Sequence, residues 1–159
     1  LDEEGQYMLL EFPSDDVPTY AKDMIFNIQQ RGITPIVVHP ERNSRILKEP
    51  HILQELIEQG CLVQITASSY VGTFGKEIEK MSKQFIEAGQ CACFASDAHD
   101  LPKRQYEYSA ALKKLGEEFG EERVNEFKNN ARAIVNGDNV QLNWRPLKKR
   151  KSIFRFFKM

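Results

Sequence analysis

The sequence predicts an α/β fold made of parallel βα repeats. Four apolar, strand-like runs are each followed by a segment with apolar residues at helical spacing, and no hairpin signal lies between them. The runs recur at intervals of about 27 to 31 residues, the length of a βα unit. Each of the three helices between strands ends in a glycine just before the next strand. The pattern favours parallel strands joined by crossover helices, as about half of a (β/α) barrel or as an open four-stranded sheet.

Each predicted strand is a short apolar run that stops at a turn or polar residue. The first stops at Pro13, where Ser14 and Asp15 can serve as helix N-caps. The second is the β-branched run before His39, the third ends in a Thr-Ala-Ser-Ser group, and the fourth precedes Asp97. In chain order, the predicted strands span residues 6–12, 33–38, 61–65 and 90–95.

The segments between and after the strands have the apolar spacing of amphipathic helices. Met24, Ile25 and Ile28 share one face of the first helix. The last two helices follow one another without an intervening strand, and Gly137 closes the second. In chain order, the predicted helices span residues 17–31, a stretch around 52–57, 76–88, 105–119 and 121–136.

Composition indicates one domain of a soluble, cytoplasmic protein. The 159 residues are 41% hydrophobic and 28% charged, and no run approaches the roughly 20 apolar residues of a membrane span. The N-terminus lacks the basic and apolar regions of a signal peptide. Three cysteines, an odd number without a framework spacing, argue against a disulfide scaffold. Cys91 and Cys93 share a strand face, so we interpret them as small buried hydrophobes, with a metal or redox pair as the alternative.

The two ends of the chain suggest a body and a tail. The sequence does not begin with Met, so we expect a piece of a longer protein, whose body spans residues 1–147. Residues 148–159 carry six basic and no acidic side chains, which leaves a charge of -7 on the body. This tail is expected to be disordered, or to contact a membrane surface or a partner. Because the body is acidic, nucleic-acid binding is not expected.

Polar side chains at the strand ends predict one shared site. The C-terminal ends of parallel strands open into a common mouth, so Glu11, His39, Asp97 and His99 should converge. Pro40 should keep the backbone of His39 extended. In extended backbone, Asp97 and His99 would leave the same side of the chain. This N/O donor set without thiolate suits Mn, Fe, Co or Zn.

Basic residues beside these donors suggest an anionic substrate. Arg42 and Asn43 suit the binding of a phosphate or carboxylate, and Arg104 could act as an anion clamp. The structural alternatives are that Glu41 and Arg42 cap the next helix and that Arg104 is a solvated surface residue. We therefore hypothesise metal-assisted phosphoester hydrolysis, in which metals polarise the phosphoryl oxygens and supply hydroxide from bound water.

Several segments of the chain resemble the polymerase-and-histidinol-phosphatase (PHP) superfamily. The similarity is greatest to its bacterial metal-dependent protein-tyrosine phosphatases from capsule and exopolysaccharide operons. The segments are Leu-Leu-Glu-Phe-Pro at 9–13, Val-His-Pro-Glu-Arg-Asn at 38–43, Gln-Ile-Thr-Ala at 64–67, Gly-Thr-Phe-Gly at 72–75, and Ala-Ser-Asp-Ala-His at 95–99 followed by Arg104.

The resemblance implies a fold, a metal cluster and residue roles. The family fold is a distorted (β/α)7 barrel with up to three metals, usually Mn²⁺. Glu11 would bridge metals, His39, Asp97 and His99 would complete the set, and Arg42 and Arg104 would bind phosphate. The family begins with a His-x-His motif, and this chain has no His before His39. It therefore resembles the C-terminal portion of such an enzyme, completed by another copy or by a separate N-terminal segment.

The resemblance also implies a substrate. The family dephosphorylates phosphotyrosine, notably on a partner tyrosine autokinase that controls polysaccharide export. One alternative is a small-molecule phosphomonoesterase of the same superfamily, acting on a substrate such as histidinol phosphate. The other is an inactive fragment that serves as an oligomerisation or docking module.

Overall fold

The structure is a computed structural model that describes residues 2–98 and 106–147. In this part of the chain, a four-stranded sheet has all its strands parallel and in sequence order. Doubly wound open sheets reverse their strand order, whereas consecutive units of a barrel wall keep it. The observed order therefore favours the barrel portion over the open sheet. The strands are β1 (Tyr7–Leu10), β2 (Thr34–Val38), β3 (Leu62–Thr66) and β4 (Cys93–Ala95).

Helices follow each strand, as the sequence predicts. A 3-10 turn, Pro40–Arg42, directly follows the residue after β2 and is central to the site. The α-helices are α1 (Ala21–Gln29), α2 (Ser44–Lys48), α3 (His51–Glu58), α4 (Ala67–Val71), α5 (Lys76–Glu87), α6 (Tyr108–Phe119) and α7 (Glu121–Asn136).

The strand pleat divides the apolar side chains between two clusters. Val37, Val63 and Phe94 enter the larger core together with residues from all seven α-helices. Alternate strand positions enter a smaller cluster on the other face. Its buried members are Tyr7, Ile36, Leu62, Ala92, Cys93, Ile134 and Val140.

The first helix begins later than predicted. Ser14 and Asp15 lie in a turn, so their prediction as N-caps is wrong. The backbone N–H of Ala21 donates to the Pro18 carbonyl (2.9 Å), and the helix begins only there. The cause is local: turn geometry around Pro18 holds residues 13–20 outside the helix.

A short helix, α4, was not predicted. The polar group after β3 was expected to end the strand, but Ala67 to Val71 form a single helical turn and a half in which Ser68 and Ser69 are buried. Five residues are too few for an apolar period to be recognised.

The segment after α7 returns along the base of the sheet. The Arg145 N–H donates to the Ala88 carbonyl (2.9 Å), and Gln90 Nε2 donates to the Arg145 carbonyl (3.0 Å). Trp144 packs against the larger core. Within the described residues, no helix has the length and apolar character needed to span a membrane. The basic tail, 148–159, lies outside the described residues.

Candidate metal and phosphate site

A cavity of about 240 Å³ opens at the C-terminal ends of the strands. Segments that follow β1, β2 and β4 contribute to its wall, as expected where parallel strands end together. It is lined by Glu11, Phe12, Ser14, Val38, His39, Pro40, Arg42, Asn43, Ile46 and Asp97. The structure thus brings four of the predicted site residues, Glu11, His39, Arg42 and Asp97, around one space.

Glu11 and His39 form a pair of potential metal ligands. His39 Nε2 lies 3.2 Å from Glu11 Oε1; the Glu11 side chain is 69% exposed and that of His39 is 19% exposed. Burial, together with the positive charge of Arg42, lowers the pKa of His39, and the carboxylates of Glu11 and Asp97 only partly oppose this. The imidazole is therefore neutral near pH 7, which is the form that binds metal ions.

His39 and Asp97 both have left-handed backbone conformations, with φ of 37° and 48°. Within residues 2–98 and 106–147, no other non-glycine residue has a positive φ. The extended backbone predicted for each of them is therefore wrong. His39 N–H still donates to the Gln64 carbonyl (2.8 Å), and the chain must then turn at once into the 3-10 turn. Such strained positions are common at functional sites.

Arg42 is held at the cavity by two contacts. Its Nη2 donates to Asp97 Oδ2 (2.5 Å), and its guanidinium lies 5.3 Å from the centre of the Phe74 ring, within cation–π range. Both ion-pair partners are mostly buried, with side-chain exposures of 17% and 16%. Asp97 was predicted as a metal ligand, and here it pairs with the arginine. The contact with Phe74 was not predicted, because nothing in the sequence pairs the two segments.

Asn43 has a structural role instead of the predicted phosphate contact. Its Oδ1 accepts from the N–H groups of Arg45 and Ile46 (both 3.0 Å), so it caps α2. Its Nδ2 donates to the carbonyls of Pro13 (2.7 Å) and Asp16 (2.9 Å). With both ends of its amide engaged, Asn43 is not available to an anion, and it takes the capping role that had been considered for Glu41 and Arg42.

Glu41 is completely buried, which sequence reasoning missed. The Thr66 backbone N–H donates to its Oε1 (3.1 Å). Its Oε2 has no hydrogen-bond partner among the described residues. Burial raises the pKa of Glu41 to about 7, and the polar groups of Ser69 and Thr66 beside it only partly offset this.

The donors found here suit part of a metal site. A carboxylate oxygen and a neutral imidazole nitrogen side by side are ligands that Mn, Fe, Co or Zn accept. Among the residues that the structure describes, no group of three or more His, Cys, Asp or Glu side chains could hold one metal ion. Two further predicted site residues, His99 and Arg104, lie outside the described residues.

Comparison with known proteins identifies the family. Residues 3–136 match the family described as "Capsular polysaccharide synthesis, CpsB/CapC". This chain belongs to the CpsB/CapC family. The predicted resemblance to the tyrosine phosphatases of capsule synthesis is thereby confirmed.

Curated members of the CpsB/CapC family are named tyrosine phosphatases. The chain is 37% identical to "Tyrosine-protein phosphatase YwqE" of Bacillus subtilis (strain 168) over 153 residues, 96% of this chain and 60% of that protein. It is 43% identical to "Putative tyrosine-protein phosphatase CapC" of Staphylococcus aureus over 103 residues, 65% of this chain and 40% of that protein. It is 31% identical to "Tyrosine-protein phosphatase CpsB" of Streptococcus agalactiae over 139 residues, which cover 82% of this chain and 56% of that protein.

A solved CpsB/CapC structure has the same fold. It is described as "Crystal structures of YwqE from Bacillus subtilis and CpsB from Streptococcus pneumoniae, unique metal-dependent tyrosine phosphatases". The TM-score is 0.88 at 35% identity, with 92% of this chain and 60% of that chain covered. The predicted α/β fold of this superfamily is confirmed. The chain spans 60% or less of the length of each of these relatives.

Proposed function

We propose that this chain carries part of the active site of a metal-dependent protein-tyrosine phosphatase. The observation that supports it is the shared cavity, in which the Glu11–His39 pair lies beside the guanidinium of Arg42. Metal ligands next to a cationic phosphate-binding group are what phosphoester hydrolysis requires. The names of the relatives point to the same reaction.

The residue roles in this proposal follow the donor chemistry. Glu11 would supply a carboxylate ligand, His39 would supply a nitrogen ligand, and Asp97 and His99 would complete the ligand set. The metal is Mn²⁺, up to three ions in the complete site, with Fe, Co or Zn as substitutes. When bound, the metal polarises the phosphoryl oxygens and lowers the pKa of bound water.

Arg42 binds the substrate phosphate in this proposal, together with Arg104. A guanidinium has five N–H donors in a fork that matches phosphate oxygens. The contact with Asp97 involves Nη2, which is one of the three guanidinium nitrogens. Donor capacity therefore remains for an anion. The Phe74 ring and the Asp97 carboxylate fix the orientation of the guanidinium before substrate arrives.

Further βα units complete the barrel and its ligand set in this proposal. Residues 1–147 form part of one barrel domain, and the missing donors come from an upstream segment or a second copy. The substrate is phosphotyrosine on a tyrosine autokinase of polysaccharide synthesis, in the cytoplasm. The basic tail, 148–159, would favour contact with an anionic membrane surface near that kinase.

The test is an assay of the full-length gene product with Mn²⁺. We expect hydrolysis of a phosphotyrosyl peptide to exceed that of histidinol phosphate. Arg42→Ala should lower kcat/KM for the peptide by about 100-fold, the usual cost of removing a charge-stabilising group. The matched control is Arg45→Ala, since Arg45 lies on α2 and pairs with Glu49 at the surface. Unchanged activity in Arg42→Ala, or faster turnover of histidinol phosphate, would contradict the proposal.

A further inference from the structure

Glu41 is the middle residue of the 3-10 turn Pro40–Arg42 but does not line the cavity. His39 and Arg42, on either side of it, both line the cavity, whereas Glu41 is 0% exposed and does not. A carboxyl group buried this deeply is costly unless its hydrogen bonds serve the structure. Its position between two site residues therefore needs an explanation that the proposed reaction does not supply.

Two hydrogen bonds attach the turn to β3. His39 N–H donates to the Gln64 carbonyl (2.8 Å), which continues the ladder between β2 and β3 by one residue. Two residues later, Glu41 Oε1 accepts from the N–H of Thr66, the last residue of β3 (3.1 Å). The turn is thus attached to the neighbouring strand on both sides of Pro40, once by backbone and once by the Glu41 side chain.

The attachment to β3 stabilises the strained backbone of His39. A left-handed φ of 37° at a non-glycine residue persists only where the surroundings hold it. The following Pro40 favours an extended backbone at His39, so it does not stabilise the left-handed conformation. Without the side-chain bond to Thr66, the turn could relax, and the His39 imidazole and the Arg42 guanidinium would move apart.

We propose that Glu41 is a positioning residue that holds His39 and Arg42 at the site through its buried hydrogen bond to the end of β3. The inference deepens the proposed phosphatase function and rests on it for its purpose. Glu41 itself touches neither metal nor phosphate. The role requires a hydrogen-bond acceptor at the distance from the backbone that a glutamate side chain reaches. Glu41→Gln should therefore retain the positioning effect, and Glu41→Leu should not.

A matched control exists at the opposite end of the sheet. Gln90 is also fully buried, donates one hydrogen bond to a backbone carbonyl, and has a second polar atom without a partner among the described residues. Gln90→Leu therefore also removes a buried hydrogen-bonding group, in this case an amide donor, far from the cavity. A general loss of stability should appear in both variants, whereas a positioning effect should appear in Glu41→Leu alone.

The readout is the ¹⁵N NMR signal of the Arg42 guanidinium in this chain, assigned with Arg42→Lys. In the wild type, the Asp97 ion pair and the Phe74 ring should shift it away from the signals of exposed arginines. We expect Glu41→Leu to return it to the exposed position, and Glu41→Gln and Gln90→Leu to leave it in place. In the full-length gene product, Glu41→Leu should raise the Mn²⁺ dissociation constant by about 10-fold or more.

Two milder variants keep the test decisive if Glu41→Leu does not fold. Glu41→Asp retains the carboxylate, but its side chain is too short to reach Thr66. Its Arg42 signal should therefore return to the exposed position, whereas Glu41→Gln should keep the shifted position. An unchanged Arg42 signal in Glu41→Leu or Glu41→Asp, or an equal change in Gln90→Leu, would overturn the proposal. A wild-type full-length gene product that keeps the shifted Arg42 signal yet binds no Mn²⁺ would instead refute the proposed function.

Discussion

Asn43 shows how one side chain connects two segments beside the site. Its amide oxygen caps α2, and its amide nitrogen holds the carbonyls of Pro13 and Asp16 in the turn after β1. Because β1 and β2 each end at the cavity, Asn43 fixes the spacing between their following turns. Sequence reasoning placed it in the site and gave it the wrong task, since Asn suits both anion contact and helix capping.

Replacing Asn43 should destabilise the fold substantially. Asn43→Ala removes the cap and leaves two carbonyls without their donor, so we expect a loss of about 2 to 4 kcal/mol in the free energy of unfolding. Asn43→Asp keeps the cap acceptor but places a carboxylate oxygen against the carbonyls of Pro13 and Asp16, so it should not recover the loss. Urea denaturation measures both, with Ser44→Ala as control, whose exposed hydroxyl makes only a 3.3 Å contact. A loss below about 0.5 kcal/mol for Asn43→Ala would contradict the assignment.

The three cysteines are buried and free, as predicted for small apolar residues. Burial raises the pKa of Cys61 and of Cys93 to about 12, with Gln64 partly opposing the shift at Cys93, and it raises that of Cys91 as well. Thiols that stay protonated do not react as nucleophiles. The metal or redox pair considered for Cys91 and Cys93 is therefore not favoured.

We expect the thiols to resist alkylation at pH 8 in the native state and to react fully in urea. The same burial makes the free energy of unfolding depend on pH. Unfolded thiols lose protons near pH 9.0 and folded ones near 12, so their contribution to stability is complete below pH 9 and falls as the pH rises toward 12. Mass spectrometry after iodoacetamide treatment, and urea midpoints between pH 8 and 10, test both. Rapid native labelling would refute the burial.

Among the elements, α7 is the one that the sequence predicts best. Its bounds of 121–136 match the prediction, since Gly120 and Gly137 flank a long amphipathic run. It contacts β4, and the Phe127 ring lies 4.8 Å from that of Phe94. The length of α7 and its flanking glycines made it predictable from the sequence. By contrast, α4 is too short to show an apolar period, and α1 begins later than predicted because of the turn at Pro18.

The two faces of α7 should respond differently to truncation. Phe127→Ala removes a buried ring from the larger core and should cost about 3 to 5 kcal/mol. Val135→Ala, on the same helix but 63% exposed, should change the free energy of unfolding by less than about 0.5 kcal/mol. Urea denaturation of both variants measures the difference. Similar costs for the two would mean that the helix faces are assigned incorrectly.

At the scale of the whole molecule, β1 is an edge strand in the described part of the sheet, and some of its apolar side chains are exposed to solvent. Leu9 is 47% exposed although its partner in register, Ile36, is buried. Within the proposed function, further βα units pack beside β1 and cover this strand. The sequential strand order and the fold of the longer relatives support that arrangement.

The placement of the site could be predicted from the sequence, but its internal contacts could not. Strand ends in a parallel sheet converge for topological reasons, so Glu11, His39 and Asp97 were expected together. The ion pair between Asp97 and Arg42 and the burial of Glu41 depend on how loops pack, and no local pattern encodes that. The roles predicted for these residues, and for His99 and Arg104, remain predictions.

The proposed function depends on Glu11 and His39 binding a catalytic metal beside Arg42. The sharpest test is a crystal of the full-length gene product grown with Mn²⁺ and phosphate and measured at the manganese absorption edge. We predict an anomalous peak within bonding distance of Glu11 and His39, and a phosphate in contact with Arg42. Manganese bound elsewhere, with the Glu11 and His39 side chains touching no metal, would show that this pair is not the metal site.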